Sequence, residues 1–64
     1  MLSILIPSFN NSKYLPIAVA SALSFKNLGE IIIIDDNSID DTKVVVKDLQ
    51  RHSDKIRYFK NKKN

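Results

Sequence analysis

The sequence predicts an α/β fold of order β-α-β-α-β, in which three parallel strands form half of a Rossmann-like sheet. Four consecutive β-branched residues, Ile31-Ile32-Ile33-Ile34, read as a strand that stops at an acidic turn, Asp35-Asp36-Asn37-Ser38. A shorter apolar run, Leu2 to Ile6, precedes it, and the segment between them has helical spacing. A second helical stretch and a third strand continue the alternation. Right-handed crossovers make such strands parallel, with the helices packed on the sheet.

Leu2 to Ile6 is apolar without alternation, as in a strand covered on both faces, and Pro7 is expected to end it. Ser8 to Ser12 reads as a loop around one aromatic residue. Tyr14, Ile17, Ala18, Ser21, Ala22 and Phe25 share one helical face. Pro16 is tolerated only in a first turn, so the helix begins between about Ser12 and Leu15. Asn27-Leu28-Gly29 is expected to end it, with Gly29 as the left-handed stop. Glu30 to Asp35 forms the second strand, covered on both faces. The second helix runs from about Asp40 to Arg51. Ser38 and Asp41 have the spacing of a capping box, and Val45, Val46 and Leu49 form the apolar stripe. Ile56 to Phe59 is a weaker third strand, nearer an edge. Three parallel strands leave bare edges and half-covered faces, so the chain reads as part of a larger domain.

With 64 residues, the chain is one small domain at most. A domain of this size hides only about 60% of the surface its unfolded chain exposes. It has no cysteine, so no disulfide framework supports it, in keeping with a reducing compartment. The net charge of +3 is unevenly spread. Asp35, Asp36, Asp40 and Asp41 cluster mid-chain, while Lys55, Arg57, Lys60, Lys62 and Lys63 crowd the end. No aromatic ladder or recognition helix accompanies the basic tail, so it reads as a solvated edge rather than a nucleic-acid surface. Met1 to Ile6 lacks the positive region of a signal peptide, and no apolar run nears the ~20 residues that span a bilayer. A cytoplasmic location is expected, with any membrane association arising from regions outside these residues.

In open α/β sheets, ligands bind beyond the carboxyl ends of the strands. Two such ends occur here, Pro7-Ser8-Phe9-Asn10 and Asp35-Asp36-Asn37-Ser38. Phe9 offers a flat apolar surface to a base. An ionised carboxylate beside it is an acceptor only, which favours uracil or guanine, whose pairing edges carry N–H. Amides at the start of the second helix could reach towards phosphate. Each residue alone also has a plainer reading. Pro7 ends a strand, Phe9 lies under a loop, Asp35 and Asp36 mark a turn, and Ser38, Asp40 and Asp41 cap a helix. Tyr14 reads as helix packing, and His52 has no assigned role.

Taken together, Ser3-Ile4-Leu5-Ile6-Pro7-Ser8-Phe9-Asn10, Tyr14-Leu15, Ser21-Ala22-Leu23 and Glu30-Ile31-Ile32-Ile33-Ile34-Asp35-Asp36-Asn37-Ser38-Ile39-Asp40-Asp41-Thr42 resemble the family 2 glycosyltransferases of GT-A fold. The resemblance covers nearly the whole chain and implies that residues 1–64 are the N-terminal, nucleotide-binding part of such a domain. It implies that Asp36 contacts a uracil N–H and that Pro7 and Phe9 line the base pocket. Asn10 would hold the loop after the first strand and Asp35 would make structural hydrogen bonds. Ser38, Asp40 and Thr42 would shape and cap the turn, and Asn61 or Asn64 would start the next nucleotide-side loop. Asn37 replaces the family's usual Gly, and Asn also visits left-handed conformations. Asp41 stands where Gly is common.

The implied reaction is inverting transfer of a sugar from a nucleotide-diphosphate sugar, UDP-linked, to a hydroxyl of a saccharide or lipid-linked acceptor. The family's Asp-x-Asp, which holds Mg²⁺ or Mn²⁺, and its general base come later than these residues. No catalytic residue and no metal ligand is therefore assigned within the chain, and the other partner is the rest of the transferase domain. Two alternatives stay open: a receiver-like Mg²⁺-binding signalling domain, whose acidic pair is similar, and a non-catalytic remnant of a transferase.

Overall fold

The structure, a computed structural model, describes residues 1–62. Lys63 and Asn64, named above for the basic tail and the following loop, lie outside the described residues. The elements follow the predicted order: β1 (Leu2–Ser8), α1 (Leu15–Leu23), β2 (Leu28–Asp35), α2 (Thr42–His52) and β3 (Ile56–Lys60). The sheet order is β1-β2-β3 and both pairings are parallel. This is the predicted Rossmann-like half-sheet.

Registers set which side chains share a face. Ile4, Ile6 and Ser8 pair with Ile31, Ile33 and Asp35, and these in turn with Ile56, Tyr58 and Lys60. Side chains alternate along a strand, so this set faces one side and Leu5, Pro7, Ile32, Ile34, Arg57 and Phe59 face the other. The first side carries the core. Ile31 and Ile33 are fully buried against Leu15, Val19 and Ala22 of α1, Val46 of α2, and Leu28 and Ile56. Two crossovers of one hand, stepping the same way across the sheet, put both helices on that side.

The other side is bare. Leu5 is 61% exposed and Phe59 56%, while Ile32 and Ile34 are half-buried. The expectation that β1 and β2 are covered on both faces is therefore corrected: an apolar run records what a strand can bury, not which cover is present. A polar row ends this face, with the Ser3 hydroxyl donating to Glu30 Oε2 at 2.7 Å and Arg57 Nε 3.1 Å from Glu30 Oε1.

Pro7 does not end β1, which continues through Ser8. The Asp36 N–H donates to the Ser8 carbonyl at 2.9 Å, so the polar groups of Ser8 point towards β2. Those of Pro7 then point to the outer edge, where a missing N–H leaves nothing unpaired. In α1 the buried stripe is Leu15, Val19 and Ala22, whereas Tyr14, Ile17 and Phe25 are exposed. The helix sequence is apolar on nearly every side, so spacing alone did not select its inner face. The stop is also shifted. α1 ends at Leu23, Asn27 takes the left-handed conformation at φ 65°, and Gly29 lies in β2 with no positive φ. The α2 stripe is as expected, with Val46 buried and Val45 and Leu49 packed against the core.

Candidate functional site

The carboxyl ends of β1 and β2 are adjacent and cross-linked. The Asp35–Asp36 peptide is held from both sides, its N–H by the Ser8 carbonyl and its carbonyl by the Asn61 N–H at 2.8 Å. The bond to Ser8 completes the Ser8–Asp35 pairing, and Phe9 and Asp36 are the residues that follow that pair on the two strands. Pro7 lies one row below, beside Ile34 and Phe59. Phe9 is 49% exposed and Asp36 is exposed. Pro7, Phe9 and Asp36 are thus all exposed at the carboxyl ends of β1 and β2.

Asp35 points the other way, into the helix layer, and is 0% exposed. Its Oδ1 accepts the Ser38 N–H at 2.9 Å and the Ser38 hydroxyl, and its Oδ2 accepts the Tyr58 hydroxyl at 2.6 Å. Burial pushes the carboxyl up, but the bonds from Ser38 and Tyr58 and the nearby Lys60 charge outweigh it and hold the group below its ordinary 3.8. Burial, together with the bond to Asp35 and its charge, pushes the Tyr58 phenol up, so it stays a donor.

Ser38 joins the two loops. Its Oγ accepts the Asn10 N–H at 2.8 Å, and Asn10 Oδ1 accepts the Ile39 N–H at 2.9 Å. Ser38 is thus occupied by Asp35 and Asn10, and the capping box with Asp41 does not form; Asp41 makes no side-chain cap bond. Asp40 caps α2 instead, accepting the Thr42 N–H at 3.1 Å and the Thr42 hydroxyl on Oδ1, with the Ser12 N–H on Oδ2 at 3.3 Å. The Thr42 hydroxyl is the main influence holding Asp40 below its ordinary value. An acid already sits where amides at the α2 start would meet a phosphate.

Asn10 and Asn37 both have positive φ, 49° and 61°. Asn37→Val should lower stability by about 1–2 kcal/mol because a β-branched side chain resists the left-handed region, while Asn37→Gly should be nearly neutral. Equal urea midpoints for the two variants would remove this account of the turn.

Concavities lie elsewhere. One of about 420 Å³, lined by Met1, Gly29, Glu30, Asp54, Lys55 and Arg57, is at the amino ends of the strands, the wrong end for ligands of an open α/β sheet. Another of about 390 Å³ lies between Asn10–Tyr14 and Asp40–Asp41 on the helix side. Neither includes Pro7, Phe9 or Asp36. Among the described residues no group of three or more His, Cys, Asp or Glu converges to hold a metal. Both oxygens of Asp35 are already engaged, and β3 ends in Lys60 where a receiver-like domain needs an acid. Among the described residues, the acids that come nearest to such a pair do not fit a Mg²⁺ or Mn²⁺ site.

Residues 3–64 match the family model "Glycosyl transferase family 2". The chain belongs to this family. The GalNAc(5)-diNAcBac-PP-undecaprenol beta-1,3-glucosyltransferase of Campylobacter jejuni subsp. jejuni serotype O:2 is 50% identical to this chain over 62 residues. The match takes in 94% of this chain and 20% of the relative, so the chain spans about a fifth of that curated protein's length. Among the described residues no helix is long and apolar enough to cross a membrane.

Tyr58 is the site residue that sequence reading missed. Its signal was available in principle: a tyrosine alternating with Ile56 on the inward side of a strand needs a partner for its hydroxyl. The identity of that partner depended on the strand order.

Proposed function

We propose that this chain forms the nucleobase-binding edge of a glycosyltransferase using a UDP-sugar donor. The observation that supports this reading is the Ser8–Asp35 pairing, completed by the Asp36 N–H to Ser8 carbonyl bond, since Phe9 and Asp36 are the residues that follow it on the two strands. An exposed carboxylate beside an exposed aromatic suits a base that stacks and donates an N–H. Uracil does both, whereas cytosine carries no hydrogen on the matching ring nitrogen. Asn10, Asp35, Ser38 and Asp40 hold the two loops in place.

In the whole protein the sugar would pass with inversion to an acceptor hydroxyl, activated by a base outside these residues. The Campylobacter relative is named for a PP-undecaprenol-linked substrate, and a saccharide on such a lipid, met at a membrane surface, is the acceptor we propose here. A Mg²⁺ or Mn²⁺ ion at an Asp-x-Asp beyond this segment is part of the same proposal, where it would neutralise the leaving diphosphate.

Titration of UDP into ¹⁵N-labelled protein should perturb the amides around Phe9 and Asp36. Asp36→Ala should abolish the effect, and Phe9→Ala should weaken binding by about 1–3 kcal/mol, by analogy with base stacking on aromatic side chains. CDP should bind about tenfold more weakly, because its ring N3 carries no hydrogen and presents a lone pair to the carboxylate. A folded sample whose spectrum UDP leaves unchanged would sink the proposal.

A further inference from the structure

Tyr58 lies on β3 and on the helix side of the sheet, the face that Ile33 and Asp35 share. Its hydroxyl begins a continuous hydrogen-bonded path to the loops after β1 and β2. The Tyr58 hydroxyl donates to Asp35 Oδ2; Asp35 Oδ1 receives the Ser38 amide and hydroxyl; Ser38 Oγ receives the Asn10 amide; and Asn10 Oδ1 receives the Ile39 amide. A carboxylate is planar, so fixing one oxygen aims the other. Asp35 is 0% exposed and Ser38 5%, so water has little access to replace a missing donor. The remaining charged neighbour, Lys60, acts on Asp35 through its charge and does not replace that directional bond.

We infer that Tyr58 is a positioning residue for the nucleotide site: from the third strand it fixes the Asp35 carboxylate, and through Ser38 and Asn10 it sets the relative placement of the loops bearing Phe9 and Asp36. The inference rests on the reading of those loops as the nucleobase edge. It makes one hydroxyl, outside the ligand's reach, common to both walls of the site.

The test is Tyr58→Phe, which keeps the ring and removes only the donor. UDP affinity of the folded protein, measured by calorimetry, should fall about tenfold, the size seen for coupling through packed and hydrogen-bonded residues. Before any nucleotide is added, the amides of Ser38, Asn10 and Ile39 should shift, and the Asp35 carboxyl carbon should titrate at higher pH than in wild type. In a Ser38→Ala background the same substitution should cause a much smaller loss, because the Oγ link to the Asn10 amide is already gone. Should Tyr58→Phe fail to fold, Ser38→Ala interrupts the path at its middle and carries the same expected tenfold loss. Wild-type binding with Tyr58→Phe affinity within twofold, or a full tenfold loss persisting in the Ser38→Ala background, overturns the inference alone. A folded wild-type protein that binds no UDP overturns the nucleotide reading and, with it, this role for Tyr58.

Discussion

Asp35→Ala is expected to lower the stability of the chain by about 3 kcal/mol, because it takes the acceptor from the Tyr58 hydroxyl and from the buried Ser38 hydroxyl and amide. A domain of this length has roughly 3–10 kcal/mol in total, so the variant should be largely unfolded at moderate urea. Asp35→Asn keeps an acceptor for Ser38 and a polar partner for Tyr58, and should lose about 1 kcal/mol. The two variants also separate packing from charge. The folded-state value of Asp35 lies below its ordinary 3.8, so its ionised form stabilises the fold fully above that pH. The contribution disappears as pH falls from about 4 through the lower folded-state value. Urea melts between pH 7 and pH 2 should therefore show the wild-type advantage over Asp35→Asn constant at neutral pH and shrinking below about pH 4. An advantage that is the same at pH 2.5 and pH 7 would show that the bonds to Asp35 do not depend on its charge.

The 64 residues produced alone should self-associate through the bare sheet face, and the double substitution Leu5→Lys with Phe59→Lys should return them to monomers. Leu5 and Phe59 are more than half exposed and flank the half-buried Ile32 and Ile34, so the face is a continuous apolar surface across all three strands. Covering a single Leu or Phe side chain is worth about 1.5–3 kcal/mol, and two such residues per copy offset the entropy of pairing at micromolar concentration. Both positions point away from the helices, so lysine there leaves the core of Ile31, Ile33, Val19 and Val46 untouched. Sedimentation velocity at tens of micromolar distinguishes the two states. A wild-type chain that sediments as a sharp monomer would show that this face is tolerated bare.

The parts of the fold legible in the sequence were those fixed by local chemistry. The run Ile31–Ile34 has no helical alternative of comparable quality, and Asn37 took the left-handed turn expected of an Asn in a Gly position. Where two local solutions were nearly equal, the tertiary context chose between them. α1 offers apolar residues on several sides, and packing against β2 selected Leu15, Val19 and Ala22 over Ile17. Ser38 was a candidate cap for α2, but the buried Asp35 carboxylate took its hydroxyl, and Asp40 capped the helix instead. The adjacency of the Phe9 and Asp36 loops followed from the predicted topology. The Tyr58 bond to Asp35 did not, because it joins residues 23 positions apart whose meeting depends on the register of β2 with β3.

The alternation of a β-strand gives adjacent acids opposite fates. Asp35 goes inward to lock the turn and Asp36 outward to stay free, and the only thing separating the two roles is the parity of the residue count along β2. Deleting one isoleucine from Ile31–Ile34 would leave composition and hydrophobicity almost intact. It would nonetheless turn Asp36 towards the helices and present Asp35 at the rim, or force the strand to slip and expose its inner isoleucines. The length of β2 is therefore under a stricter constraint than the identity of any apolar side chain in it: Ile, Val and Leu exchange with modest loss, but an odd change in number inverts the site.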